Sequence, residues 1–392
     1  MKTMNFKAAI STNTKAENAV AELCDSVSGV KPDLAMLFVS PHFEDECDEI
    51  LAGILEKTNA HNLIGCTGDG IIGPTREVEH APAVALWTAE LPGVRVMPFV
   101  LDIEDVKQFE TDEDWTDRVC ATPEQKPSFV VLPEPFTFGP AVEYSLQTID
   151  RIFSGGRVVG GLASAGQKPG ENRMFLNDQV MRQGMVGVSL SGDVAIESVV
   201  SQGCRPIGEP LVVTKSDQNV IQELRGRPAM EVLQSIFRNA DAYDQALMQA
   251  GGIHVGSAIA ESESQIPQNE FLIRNLMGVV ENTGIAVAAL VKTGQTIQFH
   301  VRDSKSADQE MKSLVKNRVN DMKSPPSGGL LFTCNGRGSH MFGAPNHDIG
   351  IVNEAAENCE VAGFFAAGEI GPVGNRTFIH GFTSSLILFR KP

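Results

Sequence analysis

Gly65-Cys66-Thr67-Gly68-Asp69-Gly70, Gly161-Leu162-Ala163-Ser164-Ala165-Gly166 and Gly363-Phe364-Phe365-Ala366-Ala367-Gly368 are three copies of one pattern, G-x-x-x-x-G. Each follows an apolar stub: Leu63-Ile64, Val158-Val159 and Val361-Ala362. Upstream of each lies a second apolar run, Leu34 to Val39, Phe129 to Leu132 and Leu330 to Phe332. From run to first glycine is about 30 residues each time, the length of a strand–helix–strand unit. The fold class this predicts is α/β, with mixed α+β as the variant. Ligands of such units sit beyond the carboxyl ends of the strands.

Outward from these units, Asn5 to Asn13 reads as a first strand, followed by a helix to about Ser26. Ala83 to Glu90 and Val94 to Val100 read as a hairpin around Leu91-Pro92-Gly93. Gln183 to Ser191 and Val194 to Ser201 read as a second hairpin around Ser191-Gly192-Asp193. The chain therefore reads as repeated βαβ-plus-hairpin units forming two related domains. The break is placed at the Pro- and Gly-bearing stretch 202–210 (QGCRPIGEP), giving domains 1–202 and 203–392. Beyond it, Pro228 suits the first turn of a helix. A polar helix is expected over 306–322 and a closing strand over 377–390.

A net charge of −17 repels phosphate, which argues against nucleic acid and against anionic membrane surfaces. No apolar run approaches the ~20 residues of a membrane span, and no apolar segment of a leader follows Met1. Seven scattered cysteines without C-x-x-C read as reduced thiols of a cytoplasmic protein.

Two loops concentrate polar residues. The first runs from Thr333 and Cys334 through Asn335, Arg337 and His340 to His347 and Asp348. The second runs from Glu369 through Asn375, Arg376 and His380 to Thr383. Within one βαβ unit both would emerge at the C-terminal edge of the sheet and converge. Guanidinium groups beside carboxylates suit a small zwitterion, because arginine grips a carboxylate with two parallel hydrogen bonds and a carboxylate receives an ammonium. The candidate ligand-binding set is Asn335, Arg337, His340, Asp348, Glu369, Asn375, Arg376 and His380. The other reading of the same residues is that Arg–acid pairs lock the loops and glycines supply their turns. A metal held by His340, His347, Asp348 and His380 lacks any helical H-x-x-x-H spacing. Cys334 with His340 or His380 as base is the enzyme alternative. No catalytic residue, metal site or cofactor is assigned. The first two glycine motifs carry Ile71 and Gln167 where the third has Glu369, which points to the third copy as the one with the site.

These stretches resemble the FIST proteins, with an N-terminal and a C-terminal FIST domain in tandem. The resemblance rests on IGCTGDGIIG (64–73), VVGGLASAG (158–166), CRPIGEPLVVT (204–214), FLIRNLMGV (271–279), GQTIQFHVRD (294–303), LLFTCNGRG (330–338), AGFFAAGEIGPVG (362–374) and IHGFTSSL (379–386). It covers nearly the whole chain. It implies a sensory, signal-transducing module that binds small molecules such as amino acids. Other members are fused to signalling outputs or to an F-box. No such module follows here before Pro392, so the resemblance implies a separate protein signalling partner. A protein-interaction scaffold is the alternative it leaves open.

Overall fold

The computed structural model of the protein describes residues 3–259 and 271–392. It comprises two units. The first takes residues 1–201, 311–379 and 383–392, and the second takes 202–310 and 380–382.

The first unit is built from three equivalent six-stranded sheets. Each contains one expected parallel pair: Leu34–Val39 with Leu63–Thr67, Ser128–Pro133 with Val158–Gly161, and Gly328–Cys334 with Glu360–Ala366. These strands alternate side chains between two buried faces, so they read as unbroken apolar runs. Inward residues such as Phe38, Leu132 and Phe332 meet in one central core. Outward residues meet amphipathic helices. Ala16–Ser26 and Cys47–Thr58 cover the first sheet, and Asp112–Arg118 and Gly139–Ile152 the second. His347–Ala355, with Met311 and Val315 of the helix Ser304–Asp321, covers the third.

The first glycine of each motif has a steric origin. Gly65, Gly160 and Gly363 lie opposite Leu37, Val131 and Leu331 on their parallel neighbours. A Cβ on them would sit 2.0, 1.8 and 1.8 Å from the facing carbonyl oxygens. In the second copy the equivalent residue is thus Gly160, one place before the glycine that opens the sequence pattern. Gly161 instead keeps space for the Ala366 methyl, which a Cβ would approach to 2.9 Å. Gly363→Ala is expected to cost about 3 kcal/mol, the upper end of overpacking. Gly350→Ala, in the helix His347–Ala355 with open space where its Cβ would point, is expected to stabilise by about 0.5–1 kcal/mol. Urea unfolding of the two variants checks the opposite signs.

Both expected hairpins are corrected. Val84–Glu90 pairs with Asn5–Ser11 and Leu34–Val39, whereas Val94–Leu101 pairs with Met185–Gly192 in the next sheet. Likewise Met185–Gly192 lies between Val94–Leu101 and Ser128–Pro133, and Ala195–Ser201 pairs with Ser384–Arg390 in the third sheet. Residues 84–89 are all buried, so Val84–Glu90 occupies a central position with neighbours on both sides and has no edge left for its successor. Each sharp turn passes the chain from one repeat to the next.

The repeats also exchange arms cyclically. Met174–Leu176, after the second motif, pairs with the first sheet's Leu63–Thr67. Glu369–Val373, after the third, pairs with the second sheet's Val158–Gly161. Ile71–Ile72, after the first, pairs with the third sheet's Glu360–Ala366. The expected closing strand is accordingly two strands, Arg376–His380 and Ser384–Arg390, in different sheets.

The second unit is an antiparallel sheet that curls back on itself. Cys204–Asp217 pairs with Thr296–Arg302 at one end and with Val220–Leu224 at the other, with a bulge between Ile207 and Leu211. The Pro/Gly stretch 202–210 is therefore mostly strand, its irregularity absorbed by that bulge. Helices Ala229–Asn239 and Ala242–Gln249 cover the apolar face formed by Val255, Phe299 and Val301.

Candidate functional site

The sequence-selected residues part into three groups. Arg337, Asp348 and Glu369 are fully buried at the C-terminal edge of the third parallel pair. Asn335 and His340 are exposed on the connection that follows Cys334. Asn375 and Arg376 are exposed at the far end of the arm that begins at Glu369. Glu369 lies opposite Gly161 and Ile370 opposite Gly160, so the arm runs back along Val158–Gly161, away from that edge. The expected convergence of Arg376 with Arg337 is corrected by this antiparallel return. Arg376 instead stacks on Phe378 at 5.2 Å, and neighbouring Thr377 donates through its hydroxyl to Asp150 at 2.7 Å. His380 belongs to the second unit. Among the described residues no three His, Cys, Asp or Glu side chains are grouped to hold a metal ion.

The buried group has a defined geometry. Arg337 donates from Nε and Nη2 to the two Asp348 oxygens at 2.7 and 2.9 Å. The Thr333 hydroxyl also donates to Asp348, and His347 Nδ1 lies 2.7 Å from its other oxygen. Burial alone would raise the Asp348 pKa. The Arg337 charge, with the His347, Arg337 and Thr333 hydrogen bonds, outweighs it and holds the carboxyl well below the usual range. The guanidinium also lies over the Phe342 ring at 5.1 Å.

Glu369 accepts from the Thr383 N–H at 3.0 Å and its hydroxyl at 2.7 Å, both at Oε2. Burial dominates there, and the Glu369 pKa is pushed up to about 8 despite the Thr383 hydrogen bonds and the nearby Arg337 charge. Three charged-group atoms here have no hydrogen-bond partner among the described residues: Nη1 of Arg337, Oε1 of Glu369 and Oε2 of Glu77, which the first repeat's arm brings alongside. Orphaned buried polar atoms are costly in a core and mark places where a further group is accommodated.

Residues distant in sequence complete the surroundings. Glu77 and Glu79 come from the arm of the first repeat. Glu77 accepts from the Ile349 N–H at 2.8 Å, and burial together with the Asp348 charge lifts its pKa to about 7. Glu79 accepts from the Ser339 N–H at 2.9 Å. The adjoining Gly338 has φ +71°, and a Cβ there would strike the Glu79 carboxylate at 2.5 Å, so both backbone and space require glycine. Ser164 of the second repeat accepts from the Asp69 N–H of the first at 2.9 Å and donates to the Phe365 carbonyl of the third. One hydroxyl thus ties the three motifs together. The Thr67 hydroxyl is engaged with the Arg173 backbone. Glu77 and Glu79 do not stand out in sequence, because they contribute only through pairing between repeats, whereas Thr333 and Thr383 bound the two polar loops.

The chain thus combines a three-repeat α/β unit, with a buried charged cluster at its strand ends, and an antiparallel unit. The chain belongs to the FIST family: the FIST N domain matches residues 33–227 and the FIST C domain residues 229–372. FIST domains are generally signal-transduction sensory domains. An uncharacterized protein of Mycobacterium tuberculosis is 38% identical over 376 residues, covering 95% of both chains. Another, of Mycobacterium bovis, is 36% identical over the same length and coverage. A solved cyanuric acid hydrolase from A. caulinodans is similar at TM-score 0.34 and 9% identity, covering 99% of each chain. Among the described residues no helix is long and apolar enough to cross a membrane.

Proposed function

We propose that this protein is a cytoplasmic sensor of a small zwitterion or carboxylate, an amino acid being the simplest, and that it reports to a separate protein partner. The observation that carries this reading is the pair of orphaned atoms, Arg337 Nη1 and Glu369 Oε1, of opposite charge type in one buried cluster. The guanidinium N–H suits a ligand carboxylate, and the Glu369 oxygen suits an ammonium. Asp348 acts as a positioning residue that fixes the guanidinium plane. Asn335 and His340 are exposed on the same connection as Arg337 and are the further contact candidates, and Asn375 and Arg376 take no part. The charge of −17 favours a protein partner over nucleic acid.

Glu369 is protonated at neutral pH in the free protein, so an ammonium ligand displaces its proton. Affinity for amino acids is then expected to rise about tenfold from pH 6 to 7 and about fivefold more from pH 7 to 8. The test is a thermal-shift screen against amino acids and small carboxylates. A ligand at ~100 times its Kd adds about 2.7 kcal/mol, a readily seen shift. Hits confined to amino or carboxylic acids, lost in Glu369→Gln, support the reading. A screen flat across both classes contradicts it.

A further inference from the structure

The second unit carries another set of orphaned atoms, on the face of its sheet opposite the helices. His254 and His300 lie directly opposite each other on adjacent strands, and Asn275 faces His254 from the third strand. Both imidazoles are buried, with 5% and 0% exposure. The His300 ring lies over Gly256, where a Cβ would meet Cε1 at 2.5 Å. His300 Nδ1 lies 3.1 Å from the Gln298 carbonyl oxygen. A carbonyl only accepts, so Nδ1 carries the proton and Nε2 presents a lone pair. That Nε2 has no partner among the described residues. Gln202 shows the same polarity: its amide donates to the Phe271 carbonyl at 2.9 Å, and its Oε1 is buried without a partner. Phe271 stands beside both, its ring 5.4 Å from that of His300.

The chemistry of this face is selective. The orphaned atoms of His300 and Gln202 are acceptors, which serve neither carboxylate nor phosphate. Arg302 is on the same side of the sheet, its guanidinium 5.1 Å over Phe382, and its charge opposes a cation. Orphaned acceptors beside a guanidinium suit a neutral molecule that presents N–H groups to the former and a carbonyl oxygen to the latter. Burial, with the Arg302 charge in the case of His254, pulls both histidines down to about 4, so they stay neutral and keep these roles. The backbone adds an independent sign. Phe382 has φ +65°, a conformation costly for a bulky side chain, and its ring packs on His254 at 4.1 Å. Such strain persists where surrounding contacts hold a residue for a purpose.

We infer that this face of the second unit binds a small uncharged amide, lactam or ureide, whose N–H groups donate to His300 Nε2 and Gln202 Oε1 between walls formed by Phe271 and Phe382.

The test uses the full-length protein labelled with 15N-histidine and titrated with uracil, hydantoin and succinimide. The controls are 1,3-dimethyluracil and acetate. The inference expects saturable movement of the His300 Nε2 resonance with the N–H compounds and none with the controls. It expects affinity to fall about tenfold in Gln202→Met, the loss of one hydrogen bond. Glu369→Gln, in the other unit, is expected to leave the titration unchanged. Equal response to dimethyluracil, or a His300 Nε2 that no N–H compound moves, overturns it. So does an Nε2 already hydrogen-bonded in the free protein, which would assign the orphaned atom to structural water.

Discussion

Arg337→Met is expected to cost roughly 3–5 kcal/mol of folding stability, the range for removing one partner of a buried ion pair. The side chain is fully buried, and so is Asp348, to which it is bound twice. Removing the guanidinium leaves Asp348 as an uncompensated charge. Its depressed pKa then reverts upward, since burial is the largest influence on it and opposes ionisation. The variant should therefore recover part of its stability as pH falls and Asp348 takes up a proton. Arg337→Met with Asp348→Leu is expected to regain much of the loss, because no buried charge remains. Urea unfolding of the single and double variants checks this. A single variant within about 1 kcal/mol of wild type would contradict the buried-pair account.

Glu369 is expected to make the protein less stable as pH rises from 6.5 to 8. Its folded pKa of about 8 lies above the ordinary glutamate value of 4.5. The folded state thus holds a proton that the unfolded state releases, and stability falls across that window. The full effect is roughly 4–5 kcal/mol at 1.36 kcal/mol per pKa unit. Glu77, raised to about 7, acts in the same direction. His254 and His300 act oppositely: lowered to about 4 from 6.5, they make stability rise with pH over 4 to 6.5. The two pairs offset each other below pH 6.5. Above it Glu369 dominates, and a decline of about 2 kcal/mol is expected by pH 8. Glu369→Gln keeps the shape and removes the titration, so its stability should be nearly flat over that interval. An unchanged slope in the variant would contradict the assignment.

How much of this was legible in the chain depends on how local each feature is. The three parallel pairs could be read because an apolar run, a helical stretch and a glycine recur within about 30 residues. Arg337, Asp348 and Glu369 were found because they flank one such unit. The partners of Val94–Leu101 and Ala195–Ser201 could not be read, since alternation marks a strand without naming its neighbour. The slip between Gly160 and Gly161 escaped because two adjacent glycines look alike until the facing carbonyl is seen. Arg376 was misplaced relative to Glu369 because the arm between them reverses onto another repeat's sheet. Glu77 and Glu79 act only across repeats, and nothing near them in sequence announces it, whereas Ser164 lies inside the second glycine motif. The sheet face bearing His254 and His300 is not legible for the same reason: its two histidines meet only through antiparallel pairing.

The most direct measurement is a calorimetric titration of wild type and Glu369→Gln with the amino acids, at pH 7 in two buffers of different ionisation enthalpy. The account predicts saturable binding to wild type, a heat that differs between buffers by the release of about one proton, and loss of both in the variant. Binding of the same strength in Glu369→Gln, or a buffer-independent heat in wild type, would contradict it.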